Sequence, residues 1–241
     1  MTFSLETLGY AFIGGSLPAL VWLYFLLKED ARCPEPRHMI VIAVLAGMLA
    51  VPLVLPLEHL AVTNLPITEP TPGASVIVAW ATIEETAKYL VAAILVLWRR
   101  SVNESVDFVV YMLTVALGFA AVENMLFLIE PIAHGHLAAG IATQNLRFVG
   151  STLVHVISSS AIGFALAFSF TLNKFWRTVA ASVGLILAVA LHAIFNFFII
   201  MKDGSHTLSA FFIVWTGAVV FLALFEILKY VRYHRLPKNT C

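Results

Sequence analysis

Charge is scarce in this chain. Fourteen basic and 14 acidic side chains serve 241 residues, while 61% of the residues are hydrophobic. Mean hydropathy is +0.94. A water-soluble domain is about one-quarter charged, so too few charges are present to clothe a surface in water. The two signs balance, leaving no basic excess for a phosphate backbone, and a nucleic-acid partner is excluded. Cysteine is nearly absent: Cys33 and Cys241 show neither a disulfide framework nor zinc-ligand spacing. The first six residues lack the basic start of a signal peptide, and the apolar run behind them is too long for one. We read it as a retained span. Phosphate-cradling glycine loops, Walker spacing, internal repeats and low-complexity tracts are also lacking, as is any Ser–His–Asp or Cys–His arrangement.

Present instead are seven apolar stretches of membrane-spanning length: Leu8–Leu27, His38–Val62, Ala74–Trp98, Ser105–Ile129, Phe148–Thr171, Arg177–Met201 and Leu208–Tyr230. Pro52 and Pro56 predict a kink or break in the second. The segment Glu130–Arg147 is too short for a domain and has room for a short surface helix. The expectation is an all-α, polytopic membrane helix bundle of about seven transmembrane helices in a multi-pass cell-membrane protein. It forms a single integral domain, 1–241, whose polar core lies at about 74–201. If seven spans alternate, 11 of the 14 basic residues fall on one side: Lys28, Arg32, Arg37, Arg99, Arg100, Lys174, Arg177, Lys229, Arg232, Arg235 and Lys238. Basic loops stay cytoplasmic, which puts the N-terminus outside and the C-terminus in the cytoplasm.

A few ionisable groups lie inside the spans, where each costs about 2.5–3.5 kcal/mol on insertion scales and therefore faces the bundle interior with a task. Span three carries Glu84, Glu85 and Lys88. Glu84 and Lys88 are four apart and can pair, leaving Glu85, about 100° round the helix, for another partner. Span four carries a stripe of Asp107, Tyr111, Thr114 and Gly118, with Glu123 and Asn124 off that line. Span five carries His155 in line with Ser151, Ser159 and Gly163, the small residues reading as helix packing. Span six carries His192 and Asn196, four apart on one face. At 1.5 Å per residue, Glu84, Glu123, His155, His192 and Asn196 all fall between the midplane and the outer surface. A single buried site opening outward requires that shared layer.

Glutamates, histidines and an asparagine in a solvated cavity suit water activation, with a glutamate as base and His192 and Asn196 donating to an oxyanion. Glu85, His155 and His192 also make a possible ligand set for a divalent metal such as zinc, although the H-E-x-x-H spacing is absent. The same groups suit a proton- or ion-coupled transporter, against which stands the absence of an inverted repeat. A non-catalytic membrane scaffold is the third reading.

Taken in order, Glu84-Glu85-x-x-Lys88, Asp107 through Tyr111 to Gly118-Phe119-Ala120-x-x-Glu123-Asn124, His155 after small residues, and Leu191-His192-x-x-Phe195-Asn196 resemble the PrsW family. That family is grouped with the CAAX prenyl endopeptidases and bacteriocin-processing proteins. The resemblance covers about Ala79–Phe198. It implies an intramembrane endopeptidase that cuts a membrane-anchored protein, such as an anti-sigma factor, near the extracytoplasmic side. It carries the paired glutamates onto Glu84 and Glu85, the second motif's histidine onto His155, and the last motif onto His192 and Asn196. Lys88, Glu123 and Asn124 would support them. The third residue of the first motif, Thr86, is small where the family carries an aromatic.

The orientation has a direct test. A fluorescent protein that matures only in the cytoplasm, fused to the C-terminus, is expected to fluoresce. Alkaline phosphatase, active only outside, is expected to be silent at the same position. The reverse pattern overturns the assignment.

Overall fold

The computed structural model describes residues 4–30, 33–65, 67–68, 71–136, 150–200 and 207–235. Seven long helices follow the seven apolar stretches in order: α1 (Leu5–Glu29), α2 (Arg37–Asn64), α3 (Ala74–Ala92), α4 (Ser105–Ala133), α5 (Thr152–Phe168), α6 (Lys174–Ile200) and α7 (Thr207–Arg235). A π-helical turn, Ala93–Leu97, extends α3. Between α2 and α3 a two-residue antiparallel ladder pairs Ile67 with Pro72 and Thr68 with Thr71. The all-α expectation holds. Five helices, α1, α2, α4, α6 and α7, are long and apolar enough to cross a membrane. The three charges of α3 and the 17-residue length of α5 set those two apart.

Two boundaries differ from expectation. α2 runs through Pro52 and Pro56 without a break, as membrane helices do where neighbouring helices and local adjustment satisfy the freed carbonyls. α4 continues past Pro131 to Ala133. The rest of the expected surface-helix segment, 137–147, lies outside the described residues.

The core sits around α4. Its apolar window is 89% buried, against 22–39% for α1, α2, α6 and α7. The outward faces of those four carry exposed Phe12, Leu53, Ile186 and Val219, the composition of a surface solvated by lipid. Close backbone approach brings α2 onto α4. A Cβ on Gly47 would lie 2.0 Å from the Val115 carbonyl oxygen, and one on Gly118 would lie 2.1 Å from that of Val44. Small residues permit such contacts between membrane helices. The stripe expected from Asp107 to Gly118 is thus a packing seam at its Gly118 end.

At its Asp107 end the stripe meets a polar cluster. Asp107 caps α4 by accepting from the backbone of Asn103 and Glu104 at 2.9 and 2.8 Å. Tyr111 donates its hydroxyl proton to the carboxylate of Glu35, in the α1–α2 connection. Arg232 of α7 pairs with Glu104, and Lys229 with Glu29 at 2.8 Å. These contacts tie α1, α4 and α7 at the basic end of the bundle.

Burial, followed by the neighbouring Asp107 carboxylate, raises the Glu35 pKa from 4.5 to about 8. A raised acid pKa stabilises the fold fully below the unfolded value, and the contribution is lost as pH rises through the folded one. The thermal midpoint of the detergent-solubilised protein is therefore expected to fall between about pH 5 and 8. The Glu35→Gln variant should show a flatter profile over that window. An unchanged slope in the variant would contradict the assignment.

Candidate active site

Three charged side chains project from one face of α3. Glu84, Glu85 and Lys88 are 6%, 0% and 0% exposed. Spacings of three and four both return to the same helix face, so Lys88 reaches either acid. The ammonium lies 2.6 Å from Glu85 Oε1 and 3.7 Å from Glu84 Oε2. The expected Glu84–Lys88 pair is thus the looser of the two, and Glu85 takes the lysine. The Lys88 Nζ also sits 4.5 Å from the ring centroid of Phe119, a favourable cation–π position.

Three donors hold Glu85: Lys88, Ser159 of α5 at 2.8 Å and His192 Nδ1 of α6 at 2.9 Å. His155 on α5 presents Nε2 to Glu123 of α4 at 2.7 Å and Nδ1 to Lys88 Nζ at 2.9 Å. These partners assign the tautomers. His155 donates from Nε2 to the Glu123 carboxylate and accepts the lysine proton at Nδ1. His192 donates from Nδ1 to Glu85 and keeps the Nε2 lone pair. The two imidazoles meet edge to face, with centroids 4.9 Å apart.

Glu84 is different. Its Oε2 is buried and has no hydrogen-bond partner among the described residues. It lies 3.7 Å from Lys88 Nζ, 3.8 Å from His155 Nδ1 and 3.9 Å from His192 Nε2. Native proteins rarely leave such an atom bare, and gaps of this size are those a bridging water or ion fills. Glu84, His155 and His192 each offer one ligand atom within 4.8 Å of the others. Two imidazoles and a carboxylate form a donor set typical of an open zinc site. The second carboxylates, Glu85 and Glu123, orient the two rings as outer partners of metal-bound histidines do. The residues therefore fit a divalent cation. The set differs from the expected Glu85, His155 and His192, because Glu85 is already held by three donors while Glu84 Oε2 faces both rings. The Lys88 hydrogen bond to His155 Nδ1 would yield to such a cation.

A cavity of about 750 Å³ adjoins the cluster. Glu84, Glu123, His155, His192 and Asn196 line it, together with apolar Val51, Val54, Phe119, Phe195 and Phe211. Among its other lining residues, Glu58, Trp80, Glu130 and Ile200 lie toward the helix ends remote from the basic loops. Glu85 and Lys88 sit behind this wall. Asn124 is fully buried and donates to Thr152 Oγ1 at 2.9 Å, clamping α4 to α5.

Sequence reasoning passed over Glu58 and took Ser159 for packing. A carboxylate inside the apolar second stretch was the signal for Glu58. Nothing in the spacing of Ser159 marked it as a partner of Glu85.

A helical membrane bundle that buries a carboxylate–imidazole centre beside a cavity of peptide size has the architecture of an intramembrane hydrolase. Residues 35–225 match the model of the PrsW family, described as intramembrane metalloproteases, and the chain belongs to that family. Three similar proteins bear the name protease PrsW. That of Clostridioides difficile is 26% identical over 79% of both chains. That of Geobacillus kaustophilus is 27% identical over 78% of this chain and 79% of its own. That of Oceanobacillus iheyensis is 27% identical over 94% of this chain and 95% of its own. No solved structure matches significantly. The chain is a multi-pass integral membrane protease, and family membership selects that reading over a transporter or a scaffold.

Removing one partner of a buried ion pair leaves a bare charge and typically costs about 3–5 kcal/mol. Lys88→Met is expected to lower unfolding stability by roughly that amount. Glu85→Gln combined with Lys88→Met should lose less than the sum of the single changes. Additive losses, measured by denaturation in detergent, would show that the pair is not coupled.

Proposed function

We propose that the chain hydrolyses a peptide bond of a membrane-anchored protein, an anti-sigma factor being the substrate class the family resemblance suggests. Cleavage falls toward the extracytoplasmic side, and the core at about 74–201 carries the chemistry. The observation behind this reading is the buried, unpartnered Glu84 Oε2, which faces His155 and His192 beside a cavity large enough for an extended peptide segment.

The 3.9 Å between Glu84 Oε2 and His192 Nε2 is a span that one water bridges, donating to both. Glu84 takes a proton from that water, and the resulting hydroxyl attacks the scissile carbonyl carbon. The carbonyl oxygen gains charge as the tetrahedral intermediate forms. Asn196 donates its amide N–H to that oxygen, while His192, accepting from the water at Nε2, holds it against Glu84. Breakage of the C–N bond sends the proton from Glu84 to the leaving amine. Lys88 neutralises Glu85, which fixes the tautomer of His192, while Glu123 fixes that of His155. Glu84, His155 and His192 would hold a divalent cation, which when bound polarises the carbonyl and makes water a better nucleophile. The lining that reaches the helix ends remote from the basic loops supports access from outside.

Purified protein is mixed with a single-span substrate, and the products are read by mass spectrometry. Glu84→Gln and His192→Ala are expected to lower kcat by at least about 100-fold, and Asn196→Ala by about 10²–10³. Cation content, measured by elemental analysis, should fall in Glu84→Gln and His155→Ala alongside activity. Wild-type turnover in Glu84→Gln would end this assignment, and unchanged cation content in both variants would end the ligand assignment.

A further inference from the structure

A second cavity, of about 600 Å³, lies at the opposite end of the bundle, between the end of α3 and the start of α6. Its lining is Tyr89, Trp98, Leu172, Lys174, Arg177 and Thr178. Two of these are cations and none is a carboxylate. Arg177 is held in place rather than waving in solvent. Its Nη2 donates to the Phe170 carbonyl, and its guanidinium carbon lies 6.0 and 5.8 Å from the ring centroids of Phe108 and Phe170. Its Nε–H is nevertheless buried without a hydrogen-bond partner. A fixed cation with an unsatisfied buried donor, beside a cavity with no carboxylate among its described lining residues, is a site built for an anion.

The rim says which anion. Trp98 and Leu172 are 55% and 48% exposed, and aromatic side chains at the membrane boundary stand at headgroup level. A soluble phosphate has no use for an apolar rim. A phospholipid presents its phosphate and its first chain carbons together, and basic pockets between membrane helices receive such headgroups. We propose that this cavity seats the phosphodiester of an anionic phospholipid, with Arg177 and Lys174 donating to its oxygens and Trp98 and Leu172 against its chains. The site is separate from the Glu84 cavity and does not depend on the protease mechanism. Because Tyr89 follows Lys88 on α3, a lipid seated there braces the helix that carries the site charges.

The test is thermal unfolding of the full chain in a neutral detergent. Phosphatidylglycerol is expected to raise the midpoint by about 5 °C, with no comparable rise from phosphatidylcholine or inorganic phosphate. Lys174→Gln and Arg177→Gln should each lose most of that rise. The Arg99→Gln/Arg100→Gln double variant removes two neighbouring charges outside the cavity and should keep it. If Arg177→Gln fails to fold, Thr178→Glu places a carboxylate in the same wall and is expected to abolish the rise. Three results would overturn the proposal: an equal rise with phosphatidylcholine, an equal rise with inorganic phosphate, or an equal loss in the Arg99/Arg100 variant.

Discussion

The ion pair between Lys88 and Glu85 is the contact around which the rest of the polar centre is arranged. Neither side chain is exposed, and a charge in such a place must be answered on every side. Glu85 is met by an ammonium, a hydroxyl and an imidazole from three helices. Lys88 in turn reaches His155, and His155 reaches Glu123 on a fourth. One buried pair thereby joins α3, α4, α5 and α6. Glu84 stands at the centre of this ring without a hydrogen bond of its own at Oε2, and that spare valence separates it chemically from its neighbour.

Much of this was legible in the sequence. The seven apolar stretches returned as seven helices because lipid-facing length is a coarse property written over 20 residues at a time. Glu84, Glu85, His155 and His192 were visible as charges and imidazoles out of place. Their division of labour was not. Helical spacing allowed Lys88 to pair with either glutamate, and only the rings of α5 and α6 decide which carboxylate is occupied. The Asp107–Tyr111 line was visible as a stripe, but its partner Glu35 lies in a connection with no periodicity to read. The continuity of α2 through two prolines was equally hidden, because satisfying the freed carbonyls falls to neighbouring helices and local adjustment.

The bundle is polarised along its length. One end gathers the basic loops, the Arg232–Glu104 and Lys229–Glu29 pairs and the cavity at Arg177. The other holds the cavity beside Glu84, with Glu58, Glu123 and Glu130 in its lining. Between them runs α4, buried on nearly all sides. Glycine contacts pack α2 directly against that core.

The charges of α3 have a consequence for how the chain is made. Each of Glu84, Glu85 and Lys88 opposes transfer of its own segment from the translocon into lipid, and together they outweigh what a 19-residue helix of this composition offers. α3 therefore depends on its neighbours α4, α5 and α6, whose side chains receive its charges, for a stable place in the bilayer. Settling α3 in the membrane and assembling the polar centre are thereby coupled.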